Sequence, residues 1–159
     1  MSLTVTEEHR LSLHQLVGPG ASEALARDGL PTPPGELEAL PHEAGFVART
    51  GAREYLVGHR LGWTPGEASM PPWCFERCDR ILRLQGESWC EVMSELCSHD
   101  MHRMGSGDWF MGSMAGVDAW LYVTGSDEGG VLVGCDPSLG DYLRSVLDAV
   151  IADRYQRFN

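Results

Sequence analysis

Residues Arg80 to Met104, RILRLQGESWCEVMSELCSHDMHRM, change hydrophobic period partway along, and that change limits the folds open to this chain. Ile81, Leu82 and Leu84 set against Arg80, Arg83 and Gln85 read as a strand. After a turn at Gly86, Trp89, Val92, Met93 and Leu96 recur at helical spacing. Ser88 is placed to cap that helix, with Glu91 three residues on in the capping-box position, and Glu87 and Glu91 suit the positive end of the helix dipole. Cys97-Ser98-His99-Asp100 closes the helix. A strand, a glycine turn and a capped helix within 25 residues point to a mixed α and β architecture.

The same order occurs earlier. His9–Val17 reads as a strand ending at Gly18-Pro19-Gly20, and Ala21–Arg27 as a short helix with Ser22 near its start and Gly29 just past its end. Gly18 and Gly86 stand 68 residues apart, and Leu25 and Met93 match under that offset. A hairpin follows each unit. Gly45–Arg49 and Glu54–His59 flank a turn at residues 50–53, and Val117–Thr124 returns through residues 125–130 to Val131–Cys135. Trp109–Ser113 reads as a further strand. Asp136-Pro137-Ser138 opens a last helix, whose stripe is Leu139, Tyr142, Leu143, Val146, Leu147, Val150 and Ile151, finished by Tyr155 and Phe158. Residues 1–10 read as polar and loosely held, Leu30–Gly35 as irregular, and Leu61–Pro72 as a linker or lid.

The fold expected is therefore α+β: two packed split β-α-β halves, ferredoxin-like, with antiparallel sheets and helices on the outer faces. Residues 1–72 form an abbreviated N-terminal half that ends in the Pro/Gly-rich linker. Residues 73–159 form a C-terminal β-α-β-β-α half.

Composition excludes several function classes. All 12 cationic residues are arginine, so a lysine Schiff base and a P-loop lysine are absent. A net charge of −11 and the lack of a basic stripe argue against nucleic acid. No apolar run is long enough to cross a membrane, and the N-terminus lacks the pattern of a signal peptide. Five cysteines without a framework spacing suggest reduced thiols, hence a cytoplasmic location.

The candidates for chemistry are few. Cys97, His99 and His102 invite a metal reading, which would make this a regulatory metal-binding domain, but the three lie on one short segment that lacks a fourth ligand. Cys74 and Cys78 have no second pair. Cys97 near a helix C-terminus meets the dipole end that raises a thiol pKa, and Cys90 packs within its helix, so neither suits a nucleophile. Gly18-Pro19-Gly20 lacks the third glycine of a dinucleotide fingerprint, and Asp127 and Glu128 would repel an anion at Gly125–Gly130. Trp89 and Trp120 read as core. Trp63 and Trp73, flanking the irregular segment, are the candidate anchors for a partner. The expectation is no catalytic group and no metal in this chain.

Four segments in order carry a family resemblance. They are Gly29-Leu30-Pro31 followed by Gly35; the hairpin ARTGAREYLV with Gly51, Glu54, Tyr55, Leu56 and Val57; the stretch from Arg80 through Gly86, Cys97 and Asp100; and Ala115–Leu143 with Ser138, Tyr142 and Leu143. Together they resemble the small gamma subunit of heterotetrameric sarcosine oxidases and, more distantly, the aminomethyltransferase (glycine cleavage T-protein) superfamily. Ala52-Arg53 departs from the family's Pro-Asp, and only about twenty residues stand where the family inserts a helix and a strand before Arg80. The resemblance implies a T-protein-like fold and a non-catalytic subunit. Its larger partners would be flavin-dependent and would hold the flavin, the NAD and the tetrahydrofolate, oxidising an N-methylated amine such as sarcosine with folate-linked one-carbon transfer. The alternative is a small folate-binding aminomethyltransferase-like protein acting alone. No folate-binding residue carries over to this chain.

Overall fold

A computed structural model describes residues 3–66 and 69–158. It holds ten strands and three α-helices in two five-stranded sheets, each forming a compact unit of its own. The first unit comprises His9–Cys78 with Gly107–Trp109; the second comprises the residues before His9, Asp79–Ser106, and Phe110 onward.

In the first unit, β2 (Ser12–Val17) leads through Gly18, at φ +119°, into α1 (Ala21–Arg27). Then come β3 (Ala39–His42), β4 (Gly45–Gly51), β5 (Glu54–His59) and β6 (Trp73–Arg77), in the sheet order β3-β4-β5-β2-β6. Both β2 and β4 run antiparallel to β5 between them, so they are parallel to each other: a split β-α-β unit. Alternation puts Leu16, Val47, Tyr55 and Val57 on one face, where they bury against Ala21, Ala24 and Leu25 of α1. Leu16 and Leu25 are fully buried, each contributing about 1.5–3 kcal/mol of transfer free energy.

The second unit repeats the plan. Strand β7 (Arg80–Gln85) passes through Gly86, at φ +132°, into α2 (Trp89–Leu96). Strands β8 (Trp109–Met114), β9 (Val117–Val123) and β10 (Gly130–Cys135) follow, in the order β1-β7-β10-β9-β8. Read from the far edge, β8-β9-β10-β7-β1 matches β3-β4-β5-β2-β6 strand for strand. Leu25 and Met93, paired by the 68-residue offset, are both fully buried in their own cores. The fold is the expected α+β one with two antiparallel sheets.

The edge strands are exchanged. Strand β1 (Thr4–Glu7) precedes β2 in the chain but pairs with β7, while β6 precedes β7 but pairs with β2. A boundary at residues 72 and 73 places Trp73–Arg77 with the C-terminal half and the first residues with the N-terminal half; their ladders run the other way. Residues 3–10, expected to be loose, contain β1 and bury Leu3 and Val5. Arg83 of β7 holds them there: its guanidinium takes Glu8 through Nε (3.1 Å) and Nη2 (2.6 Å), and Glu128 through Nη1 (2.6 Å). Arg80 pairs likewise with Glu7 and, at 3.0 Å, with Asp141.

Two helix ends differ from expectation. Ser88 is the N-cap of α2, but its φ of −87° and ψ of 14° lie outside the extended region a capping side chain needs, and it makes no cap hydrogen bond. Glu91 instead accepts from the Cys90 thiol at 3.1 Å. Pro137 begins a single 3-10 turn, Pro137–Leu139, capped by Asp136, and α3 (Gly140–Phe158) starts after it. Only Leu143 and Leu147 of the expected stripe are fully buried. Leu139, Tyr142 and Tyr155 are exposed, the tyrosines held by their hydroxyls to Ala115 O (3.0 Å) and Leu3 N (2.9 Å). The side chain of Phe158 lies outside the described residues. Among the described residues no helix is long and apolar enough to cross a membrane.

Candidate functional site

Of the segment expected as a linker, residues 67 and 68 lie outside the described residues, and Trp63, Gly66, Ser69 and Met70 lie against α1 and its ends. Trp63 Nε1–H donates to Asp28 Oδ2 at 2.7 Å, and the Gly66 amide reaches the same oxygen at 3.1 Å. Ser69 donates to Glu23 through its hydroxyl (2.9 and 3.0 Å) and its amide (3.4 Å), which together hold the Glu23 carboxyl below the usual range. Gly20 is a requirement of this arrangement, since a Cβ there would lie 1.5 Å from the Met70 carbonyl oxygen. Trp63, a candidate anchor, is thereby half-buried: it packs on the α1 core and meets the His14 ring edge-on at 6.1 Å. Its position is explained by local packing.

Trp73 is placed differently. It opens β6, the last strand of its sheet, and is 73% exposed. Alternation puts Trp73, Phe75 and Arg77 on one face, opposite Val17, Gln15 and Leu13. The Trp73 and Phe75 rings lie 6.2 Å apart, Phe75 is 49% exposed, and Met70 nearby in the chain is 57% exposed. Strand β6 is thus an edge with two aromatic rings outward, where edges of isolated proteins are ordinarily charged or short. Phe75 was not singled out from sequence; the period-2 pair Trp73-x-Phe75 was the signal for it.

The Cys97–His102 segment does not converge. The Cys97 sulfur accepts from the His99 amide at 3.3 Å, the His99 ring stacks on Phe110 at 4.6 Å, and His102 is exposed on a 3-10 turn. Among the described residues no group of three or more His, Cys, Asp or Glu is gathered to hold a metal ion. Burial, then the neighbouring Glu91 carboxylate, pushes the Cys90 thiol up, and partial desolvation alone raises Cys74, whose residue is exposed on β6. Cys135 is raised by burial first, then by Asp79 and Asp136. A raised thiol is a poor nucleophile at neutral pH.

An open cleft of about 440 Å³ lies in the first unit, lined by Asp28, Leu30, His42, Glu43, His59 and Arg60. The His pair was not visible in the sequence, since residues 17 apart meet only once the β3-β4-β5 register is known.

No protein-family model matches the chain, and no curated protein is similar to it in sequence. Among solved structures it is similar to the heterotetrameric sarcosine oxidase from Corynebacterium sp. U-96, a structure in complex with pyrrole 2-carboxylate. The TM-score is 0.81 at 16% identity, over 95% of this chain and 84% of that one. It is also similar to aminomethyltransferase T of the glycine cleavage system from Bartonella henselae, with a TM-score of 0.66 at 15% identity. That match takes in 91% of this chain but only 45% of the other. At these identities the likeness is one of fold: an α+β, T-protein-like fold that spans less than half of the aminomethyltransferase and most of a chain in the sarcosine oxidase.

Proposed function

We propose that this protein is a non-catalytic small subunit, like the gamma subunit of sarcosine oxidase, that docks on larger flavin-dependent subunits. Those partners would carry the flavin, the NAD and the folate and oxidise an N-methylated amine of the sarcosine type. The observation that carries this reading is the end-to-end fold match to a chain of a heterotetrameric sarcosine oxidase, over 84% of that chain's length. The side-chain chemistry agrees with it: three of the thiols are raised, and the Cys97, His99 and His102 side chains are dispersed. The docking surface is the β6 edge with Trp73 and Phe75, where a buried aromatic anchor is worth about 2 kcal/mol or more in an interface.

The test is co-elution of the purified chain with the large flavoprotein subunits, compared with a Trp73→Ala/Phe75→Ala variant. Co-elution that the double variant weakens is expected; separate elution of the wild-type chain overturns the reading. The aminomethyltransferase likeness favours one rival, a small folate binder acting alone. Calorimetry with tetrahydrofolate separates the two, because micromolar binding by the isolated chain belongs to the rival only.

A further inference from the structure

Two imidazoles meet at one end of the first unit's sheet. His42 ends β3, His59 ends β5, and Gly45 of β4 pairs with both. The two rings lie with centroids 5.2 Å apart and planes inclined at 34°. The Gly45 position admits nothing larger, since a Cβ there would lie 2.1 Å from the Gly58 carbonyl oxygen.

Each ring accepts a backbone amide at Nδ1. Ala44 N–H donates to His42 at 3.2 Å, and Leu61 N–H donates to His59 at 3.2 Å. With Nδ1 of His42 as the acceptor, the neutral ring carries its proton on Nε2, and that N–H donates to the Gly58 carbonyl at 3.1 Å.

We propose that His42 and His59 form a pH-sensitive clasp, whose rings close the β3–β4 turn and the exit of β5 and which protonation of His42 releases. An imidazolium has two donors and no acceptor, so protonation of His42 leaves the Ala44 amide facing an N–H instead of a lone pair. The charged groups lining the cleft with His42 and His59 are Glu43 from the turn, Arg60 after β5 and Asp28 after α1. The Oδ2 oxygen of Asp28 already takes the Trp63 and Gly66 N–H groups.

Burial first, and the charge of His59 second, hold His42 below the ordinary imidazole value of 6.5. The sign follows for His42: the unfolded chain binds its proton more readily, so the contribution of the His42 ring is complete above about pH 6.5 and is lost as pH falls below it. Release loosens one wall of the 440 Å³ cleft, to which His42, Ala44, His59 and Leu61 contribute.

The test is amide hydrogen exchange at Ala44, read by NMR alongside ring titrations of the wild-type chain. Protection at the Ala44 amide should fall about tenfold or more between about pH 8 and pH 5, while Val47 and Val57 within the strands keep theirs. His42 should titrate below the ordinary value and move up toward it in His59→Gln. Protection that is unchanged with pH, loss spread equally to Val47 and Val57, or a His42 ring titrating at or above the ordinary value overturns the proposal.

Discussion

Arg83→Met removes the group that ties β1 and the β9–β10 loop to β7. The arginine side chain is 13% exposed, its two-pronged partner Glu8 is 10% exposed, and Glu128 is 32% exposed. Breaking a fully buried pair costs about 3–5 kcal/mol, because a carboxylate stays desolvated without its cation. Partial access to water at Glu128 lowers that figure, and a loss of about 2–3 kcal/mol is expected. At about 2–4 °C per kcal/mol for a chain of this size, the melting temperature should fall by about 4–12 °C. The assay is urea unfolding of wild type, Arg83→Met, Glu8→Gln and the double variant. The double variant should lose about 1 kcal/mol or more less than the sum of the singles, since the two side chains share one interaction. Amide exchange along Thr4–Glu7 should accelerate in Arg83→Met while the β2–β5 ladder is unaffected. A loss below about 0.5 kcal/mol would place Arg83 among ordinary surface pairs and refute its role in holding β1 on this sheet.

Trp73→Ala/Phe75→Ala should change unfolding free energy by less than about 0.5 kcal/mol, as expected for exposed side chains, while weakening binding to the large subunits by about tenfold or more. Leu25→Ala and Met93→Ala, at matching positions of the two units, should each cost about 2–5 kcal/mol in chemical denaturation; a small effect at either would remove it from its core. The Glu91 carboxyl is held below its ordinary value of 4.5, chiefly by the Cys90 thiol. In Cys90→Ala it should titrate closer to 4.5 by NMR. Because the folded value is the lowered one, the associated stability is complete above about pH 4.5 and is lost as pH falls below it, a dependence the variant should flatten.

Local signals were well written in the sequence, and long-range ones were not. The period change at Gly86, the Ala21–Arg27 helix and the Glu54–His59 strand lie where residue spacing puts them, because each is decided by neighbours within a turn or a ladder step. The exchange of β1 and β6 depends on which distant edge each strand meets, and no local period records that. Strand β6 was hidden further because its alternation, Trp73-Phe75-Arg77 against Cys74-Glu76, has no buried face to mark it. At the candidate site, Trp73 was legible as an aromatic flanking an irregular segment. The same cue pointed to Trp63, whose indole N–H is taken by Asp28 from a different element. The His42–His59 pair required the register of three strands and left no trace at sequence level.

The most direct measurement of the central claim is the mass and flavin absorbance of the particle formed when the full chain is co-expressed with large flavoprotein subunits. A single species carrying both this chain and flavin, disrupted by Trp73→Ala/Phe75→Ala, is the predicted result. A lone monomer that binds tetrahydrofolate and leaves the flavoproteins untouched would contradict it.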